Sequence, residues 1–343
     1  MKKNILKVLL LSSLVTALIL GGCTNNEQPA EVSTPEETTH VTEEEATEET
    51  ADDTKEEETS DEEVVVYDPD KESLVFEEYK LMLFDGYSTV RAQDFLKENI
   101  KYLGVEKADQ AILELEKRIK ENQNYYINQV MDEDAQNAIL MAYNIEENSF
   151  SMDDFDNDDY RALAQLILDN GYKFFPEEGL FYPILDYRRL QMYDKFTSDE
   201  IRSYLELLAR DSDAPSTSDA HLNIMVDELS ERLLMAEKHL TSFPEGQTFE
   251  TVFDAYKMYM QFYTVSMAYM GGFDVETRDI SEDLLNSYKT FVKENPETAS
   301  AAIINEYLDE LKHHGNKIDN HVLDFLQDFN DVIVKHISSI TVK

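Results

Sequence analysis

The sequence predicts an all-α protein, an array or bundle of roughly ten to twelve helices that follows a disordered acidic linker. Apolar residues recur every three or four positions through most of the chain after residue 64, which is the period of an amphipathic helix. Strand signals are scarce, because the only β-branched run is Val64–Tyr67 and the chain has only ten glycines. Polar residues that commonly begin helices stand before several of the apolar stripes.

The first 22 residues have the pattern of a secretory signal. Lys2, Lys3 and Lys7 form a positively charged start, and the uncharged apolar run Val8–Leu20 follows. This run is shorter than the ~20 residues that a helix needs to cross the hydrocarbon core of a bilayer. Positive charges, a short apolar segment and small residues in this order are typical of a cleaved signal peptide.

The end of this leader contains the only cysteine of the chain. The stretch Leu20-Gly21-Gly22-Cys23 resembles the lipobox of bacterial lipoproteins. The resemblance implies cleavage after residue 22 and a diacylglyceryl group on the sulfur of Cys23. Two acyl chains give stable membrane anchoring, whereas one chain binds only reversibly. We therefore expect a lipoprotein anchored at the extracellular face of the cell membrane through Cys23.

Residues 23–63 predict a disordered stalk. Between Thr24 and Glu63 there are seventeen Asp and Glu residues, nine Thr, one Lys and no aromatic residue. A segment of such low hydrophobicity and single-sign charge cannot bury enough apolar surface to offset the entropy lost on ordering. We interpret it as a spacer between the membrane and a folded domain, with an acidic interaction tail as the alternative.

The helical stripes can be followed along the chain. Gly104 separates the stripe that ends at Leu103 from the one that begins at Val105, and Asn170-Gly171 ends the stripe that begins at Tyr160. Ser198, Thr248, Ser281 and Pro296 are the predicted helix starts further on. The stripes consist of Ala92, Phe95, Leu96, Ile100 and Leu103; Val105, Ala108, Ile112, Leu115 and Ile119; Tyr160, Leu163, Ala164 and Ile167; and Leu222, Met225, Leu229, Leu233, Ala236 and Leu240.

The polar stretch 148–160 is the best internal break in the folded part. It predicts a smaller N-terminal helical subdomain, residues 64–150, and a larger helical domain, residues 151–343. After the leader and stalk are removed, 55 acidic and 26 basic residues remain, a net charge of about −29. Such a charge argues against nucleic acid as a partner, because phosphate binding needs clustered Lys and Arg. It favours solubility and attracts cations.

Two candidate metal sites were weighed, and neither leads to a predicted metal or other cofactor. Asp154, Asp156 and Asp158 have the alternate spacing of a calcium loop, but Asp159 and Gln165 occupy the positions where that loop needs Gly and Glu. A helix start rich in Asp explains these residues better. His313 and His314 follow Asp309 and Glu310 by one turn, and His321 comes later, but helix capping accounts for residues at such a helix end.

The most informative stretch is Phe174–Leu190, in which aromatics and two prolines alternate with charged residues. A second aromatic-rich segment, Val252–Met270, predicts a helix that is apolar on nearly all sides and therefore central. One interpretation is a pocket with aromatic walls and orienting charges. The other is a tyrosine-rich core in which Asp186 pairs with an arginine. The predicted ligand-binding residues are Tyr182, Asp186, Tyr187, Arg188, Tyr259 and Tyr263.

The leading functional hypothesis is a non-enzymatic surface lipoprotein whose helical domain binds a protein, a peptide or a small cationic ligand. The chain has no GxSxG or SxxK motif, no Gly-rich phosphate loop and no thiol outside Cys23. The alternative is an extracellular hydrolase that acts on cell wall or another polymer through the carboxylate pair Glu178 and Asp186. A third possibility, a transporter-linked solute-binding protein, is disfavoured because such proteins usually have α/β lobes.

Part of the folded region also resembles other proteins. The segment around "YPILDY", then "SDEIRSYLELLARDSD" and "DELSERLLMAEKHLTSFP", is similar to a block found in uncharacterised helical surface lipoproteins of Gram-positive bacteria. The similarity covers about residues 174–300 and implies no particular activity.

Overall fold

The computed structural model confirms the all-α class. It describes residues 68–84, 86, 88–144, 149–218, 221–266 and 272–341, which belong to one compact unit, residues 62–343. The predicted signal peptide, the lipidated Cys23, the acidic stalk and the run Val64–Tyr67 lie outside the described residues. The predicted boundary at residue 150 falls within the compact unit and stays a prediction.

Thirteen α-helices are found in the described ranges, one more than the upper end of the predicted number. The shortest, α6, has only four residues. The helices are α1 (Pro69–Leu83), α2 (Val90–Asn99), α3 (Val105–Val130), α4 (Glu133–Ala142), α5 (Asp158–Asp169), α6 (Tyr187–Leu190), α7 (Asp199–Asp213), α8 (Val226–Ser242), α9 (Phe249–Gln261), α10 (Glu282–Glu294), α11 (Ala299–His313), α12 (Asn320–Gln327) and α13 (Phe329–Thr341).

Shorter helical segments extend this set. One turn of π-helix, Phe262–Ser266, continues α9. Three 3₁₀ segments occupy Ile100–Tyr102, Met152–Asp154 and Gln191–Phe196. Among the described residues, no helix is both long enough and apolar enough to cross a membrane.

The predicted helix starts are mostly accurate because their capping side chains make the expected bonds. The hydroxyl of Ser198 accepts a hydrogen bond from the Ile201 amide at 3.3 Å, and that of Ser281 accepts from the Leu284 amide at 3.2 Å. Thr248 precedes α9 but makes no capping bond with its side chain. Instead of Pro296, Thr298 caps α11, because its hydroxyl accepts from the Ala301 amide at 3.0 Å.

Most of the predicted stripes are buried, with exceptions at helix starts. Leu229, Leu233, Ala236 and Leu240 are fully buried, as are Ala108, Ile112 and Leu115. Val105, the first residue of α3, is 53% exposed. Met225 is the N-cap of α8 and is 77% exposed, while Leu222 belongs to a short strand before it. The last stripe therefore begins at Leu229, because the chain becomes helical only at Val226.

Three two-stranded antiparallel hairpins interrupt the helices within the described residues. The longest joins β3 (Tyr172–Glu177) and β4 (Leu180–Leu185), and the two shorter ones join β1 (Tyr143–Asn144) to β2 (Ser149–Phe150) and β5 (Thr217–Ser218) to β6 (His221–Leu222). The sequence prediction missed all three. The turn of the long hairpin is Glu178-Gly179, with φ of 50° and 81°, which is the left-handed pair of a two-residue hairpin loop.

The core is continuous across these elements. The longest helix, α3, packs against β4 and α1, while α8 packs against α7, α9, α11 and α13. The predicted central helix is confirmed as far as it is described, since Tyr256, Tyr259 and Tyr263 are all at most 1% exposed. Residues 267–271 of that segment lie outside the described ranges.

Candidate functional site

The predicted ligand-binding residues do not converge on one pocket. Tyr182 is half-buried on β4, Tyr187 is buried at the start of α6, and Arg188 beside it is exposed. Tyr259 and Tyr263 lie in the core on α9 and its π-helical extension. Of these residues, only Arg188 lines the open cleft described below.

Tyr187 belongs to a buried polar cluster around Glu116 of α3. The Tyr187 hydroxyl donates to Glu116 Oε1 at 2.7 Å, and the Tyr204 hydroxyl donates to the same oxygen at 2.5 Å. Lys120 Nζ lies 2.6 Å from it. Burial, together with the adjacent Glu116 charge, raises the pKa of both tyrosines well above the usual range. These hydroxyls are therefore fixed donors that hold α6 and α7 against α3.

The tyrosines of α9 find partners elsewhere than predicted. Tyr256 exchanges a hydrogen bond of 2.9 Å with Ser300 Oγ, and Tyr263 one of 3.0 Å with Ser287 Oγ. No hydrogen bond of ordinary geometry reaches the Tyr259 hydroxyl, which is buried with Asp211 and Arg232 as its charged neighbours. The expected partners from residues 174–190 are not used, so the core interpretation describes these three side chains.

Glu178 and Asp186 lie at opposite ends of the long hairpin. Glu178 is exposed in the turn, whereas Asp186 follows β4 directly and precedes α6. The six residues of β4 separate them, a rise of about 20 Å. Carboxylate pairs in glycoside hydrolases are at most about 9.5 Å apart. The two arginines considered as partners of Asp186 bind other groups: Arg188 binds Asp213, and Arg189 donates to the Leu168 carbonyl.

An open cleft of about 590 Å³ lies between α7 and the start of α8. This volume is within the ~300–1,000 Å³ typical of small-ligand pockets. Three of its ten lining residues are arginines, in a chain that has nine arginines in all. The lining residues are Arg188, Glu206, Arg210, Asp213, Ala214, Asn223, Ile224, Met225, Glu228 and Arg232.

The charged side chains of the cleft form a continuous ladder of ion pairs that begins at β3. Asp213 receives Lys173 Nζ and Arg188 Nε, each at 2.6 Å. Arg188 Nη1 then reaches Glu206 Oε2 at 3.1 Å. The other carboxylate oxygen of Glu206 accepts from Arg210 Nε at 3.4 Å. The ladder links β3, α6 and α7.

Arg232 anchors the inner end of the cleft. Its side chain is only 2% exposed, and its Nε donates to Glu228 Oε1 at 2.9 Å. Its Nη1 reaches Asp211 Oδ1 at 2.9 Å and the Ala214 carbonyl at 2.7 Å. A buried arginine is tolerated here because its donors on Nε and Nη1 are paired in this way. Through these bonds Arg232 holds the connection between α7 and α8, which forms the rim of the cleft.

Two carboxylates of the cleft, Glu206 and Asp213, are favoured in their ionised form. Partial burial opposes the charge of Glu206, but hydrogen bonds from Gln191 and Arg210 and the charge of Arg188 hold its pKa below the usual value. The pKa of Asp213 is lowered as well: burial again opposes the charge, and Lys173 and Arg188 outweigh it. Asp194, whose carboxyl has a pKa raised by burial, is not among the lining residues. The lining of the cleft therefore carries charges of both signs.

A second hollow, of about 300 Å³, lies where α8, α11 and the end of α13 meet. Its one buried charged residue is Glu237, whose carboxylate is already occupied. Glu237 Oε1 accepts from the Ala299 amide at 2.7 Å, and Oε2 accepts from the Ser300 amide at 2.8 Å. These bonds cap α11, so this hollow has less to offer a ligand than the arginine cleft.

Helix capping and ion pairing are found at both stretches considered as metal sites. Asn157, within the Asp-rich stretch, caps α5 by accepting from the Asp159 amide at 2.8 Å. His314 Nδ1 lies 2.9 Å from Asp319 Oδ2, and its ring stacks on that of His321 at 5.2 Å. Across the described ranges, no group of three His, Cys, Asp or Glu side chains is arranged to hold a metal ion.

Sequence reasoning missed most of the cleft. Its visible signals are two carboxylate–arginine pairs four residues apart, Glu206–Arg210 on α7 and Glu228–Arg232 on α8. Nothing in the sequence indicates that these two pairs face each other across a cleft, or that Lys173 on a hairpin joins them.

Comparisons with protein-family models, curated proteins and solved structures found no match to this chain.

Proposed function

We propose that this protein is a lipid-anchored surface module that binds short peptides in the cleft between α7 and α8. The leader and Cys23 would supply the anchor and the acidic stalk the reach, while the helical unit supplies the binding site. The observation that carries the proposal is the cleft itself: it is open, about 590 Å³ in volume and lined by half-exposed charges of both signs.

The lining favours a peptide over a purely cationic ligand. Arg188 and Arg210 offer donors, while Glu206 and Asp213, 38% and 41% exposed, offer acceptors. Asn223 adds an amide, and Ile224 and Met225 add an apolar rim. A peptide has groups that match each of these: charged groups of both signs, backbone amides and apolar side chains. The lowered pKa values of Glu206 and Asp213 suit charge recognition rather than general acid catalysis.

The binding proposal is tested with the intact chain and a pool of random tetrapeptides with free termini, using thermal unfolding as the readout. A ligand that binds only the folded state stabilises it by about 2.7 kcal/mol at one hundred times its dissociation constant. We expect the pool to raise the unfolding midpoint. Met225→Ala, which removes the apolar rim, should weaken binding several-fold.

The matched control is Leu81→Ala, because Leu81 on α1 is also 77% exposed but lies outside the cleft. We expect this variant to bind like the unmodified chain. Failure of every peptide in the pool to shift the midpoint would remove the proposal. Equal effects of the two variants would show that binding occurs elsewhere.

The anchoring proposal is tested by detergent phase partition of the chain made in a bacterial host. We expect the chain to enter the detergent phase, because two acyl chains bind stably to lipid. Cys23→Ser should leave it in the aqueous phase. Partition of both forms into the same phase would contradict lipidation at Cys23.

A further inference from the structure

The three arginines of the cleft are only partly used by their own carboxylates. Arg188 donates through Nε and Nη1, to Asp213, Glu206 and Gln191. Arg210 also donates through Nε and Nη1, to Glu206 and Glu231. Arg232 uses the same two nitrogens. In the described part of the chain, none of the three Nη2 amino groups donates to a protein acceptor.

The Nη2 groups of Arg188 and Arg210 are accessible to a ligand, because these side chains are 44% and 34% exposed, whereas Arg232 is buried. Neither Arg210 Nη2 nor Arg232 Nη2 is among the buried side-chain atoms that lack a partner, although both residues line the cleft. The remaining donor of Arg232, whose side chain is 2% exposed, is costly to leave unpaired, so a ligand in the cleft can supply its acceptor. Each Nη2 carries two N–H bonds, and planar carboxylates match such paired donors well.

The backbone adds donors at the same place. Helix α8 begins at Val226, and its N-cap residue Met225 makes no capping bond with its side chain. The first amides of a helix have no partner within the helix, and they carry partial positive charge. Met225 and Glu228, in this first turn, both line the cleft. The arginines and the start of α8 therefore surround one space with unused donors.

We infer that the cleft recognises the C-terminal carboxylate of its peptide, with Arg188, Arg210 and Arg232 as the binding residues. This inference rests on the proposed peptide-binding function and specifies the group that is bound. Asp213 and Glu206 hold Arg188 in place, and Glu206 and Glu231 hold Arg210. Glu228 and Asp211 hold Arg232. All of these bonds use Nε and Nη1, which leaves Nη2 for the ligand.

The net charge of the protein is compatible with this ligand. A free anion would be repelled by a folded region with a net charge of about −29. A short peptide with both termini free and uncharged side chains has no net charge, so the long-range field neither attracts nor repels it. Its ammonium group can approach the exposed Glu231, whose side chain is 64% accessible and pairs with Arg210. Short-range hydrogen bonds then decide the affinity.

The test compares two pools of random tetrapeptides that differ only at the C-terminus, one with a free carboxylate and one amidated. Binding to the intact chain is measured by calorimetry. We expect the amidated pool to bind at least tenfold more weakly. Equal affinity for the two pools, with binding still weakened by Met225→Ala, would overturn carboxylate recognition but leave the peptide-binding proposal standing. Absence of binding by both pools would overturn both.

Arg210→Gln identifies the site. Arg210 is 34% exposed and its ion pairs are surface pairs, so the variant should remain folded. We expect it to reduce the preference for the free carboxylate about tenfold. Arg202→Gln is the matched control, because Arg202 is on the same helix, is 41% exposed and pairs with Asp199 outside the cleft. A preference that survives Arg210→Gln, or that is lost equally in Arg202→Gln, would contradict the assignment.

Discussion

Tyr187 and Arg188 are neighbours in the sequence, but their side chains enter two polar clusters of opposite kinds. Tyr187 turns into the core and donates to Glu116, which is 4% exposed. Arg188 turns outward into the ladder of half-exposed ion pairs that lines the cleft. The core cluster concentrates three donors on one buried oxygen, whereas the cleft cluster leaves donors unused.

The difference indicates how to separate structural from functional charges in this protein. A buried polar group is costly to leave unpaired, so the core cluster is saturated and its removal should affect stability. Exposed ion pairs contribute ~0–1 kcal/mol each, so the cleft ladder can spare donors for a ligand. Three predictions about buried polar groups test their effect on stability. The peptide experiments test whether the cleft charges bind a ligand.

The largest effect is expected from Glu116→Ala. The substitution leaves the Tyr187 and Tyr204 hydroxyls without their buried acceptor, and it removes the partner of Lys120. We expect the free energy of unfolding to fall by about 3–5 kcal/mol, which is the usual cost of breaking a buried charged cluster. Urea unfolding followed by circular dichroism measures it. A loss below about 1 kcal/mol would mean that the cluster behaves like the exposed ladder.

A smaller effect is expected from Tyr204→Phe, which deletes one hydroxyl that donates to the Glu116 carboxylate at 2.5 Å. Hydrogen bonds to charged groups contribute about 1.5–3 kcal/mol, so the free energy of unfolding should fall by that amount. The matched control is Tyr259→Phe. Its hydroxyl is equally buried but makes no hydrogen bond of ordinary geometry within the described residues, so this change should cost much less. Similar losses in the two variants would remove the distinction between paired and unpaired hydroxyls.

The third prediction concerns a second buried cluster, around His239. Its Nε2 lies 2.9 Å from Thr248 Oγ1, and its Nδ1 lies 3.1 Å from Ser203 Oγ. Because the Thr248 hydroxyl donates to Glu200 at 2.8 Å, it accepts from Nε2. In the neutral imidazole, Nδ1 is then free to accept from Ser203. Burial lowers the pKa of His239, although the charge of Glu200 opposes this.

Stability should consequently fall as the pH drops below about 6.5, the pKa of an unperturbed histidine. Below this value the unfolded chain takes up a proton that the folded chain resists, so the loss continues until the lowered pKa is reached. The slope is at most about 1.4 kcal/mol per pH unit for one group. Unfolding midpoints from pH 7.5 to 5 measure it. The slope should shrink in His239→Gln, and an unchanged slope would assign it to other groups.

The sequence by itself determined the fold class and most helix positions. Helical periodicity places apolar residues on one face of each helix, and this face packs into the core. Ser198, Ser281 and Asn170-Gly171 mark helix ends, because capping depends on the local chain alone. The burial of Tyr256, Tyr259 and Tyr263 also followed from an almost wholly apolar helix. These properties belong to segments of a few turns, so the sequence contains them.

The long hairpin was a local feature that the prediction missed. Pro176 and Pro183 are unfavourable residues for a strand, because proline cannot donate to a ladder. In a two-stranded ribbon, however, both strands have an outer edge, and Pro176 and Pro183 are tolerated opposite Phe181 and Phe174. The turn Glu178-Gly179, between two aromatic segments, was the signal that could have identified it.

Only the tertiary structure decided the candidate site. Whether Tyr187 or Arg188 faces the cleft depends on how α6 leaves the hairpin and lies against α7. The ladder from Lys173 to Arg210 joins residues from a strand and two helices, and no sequence period links such distant positions. Exposure to water decides whether a charged group must be paired, because an unpaired group is costly only where it is buried. This exposure is a property of the packed chain.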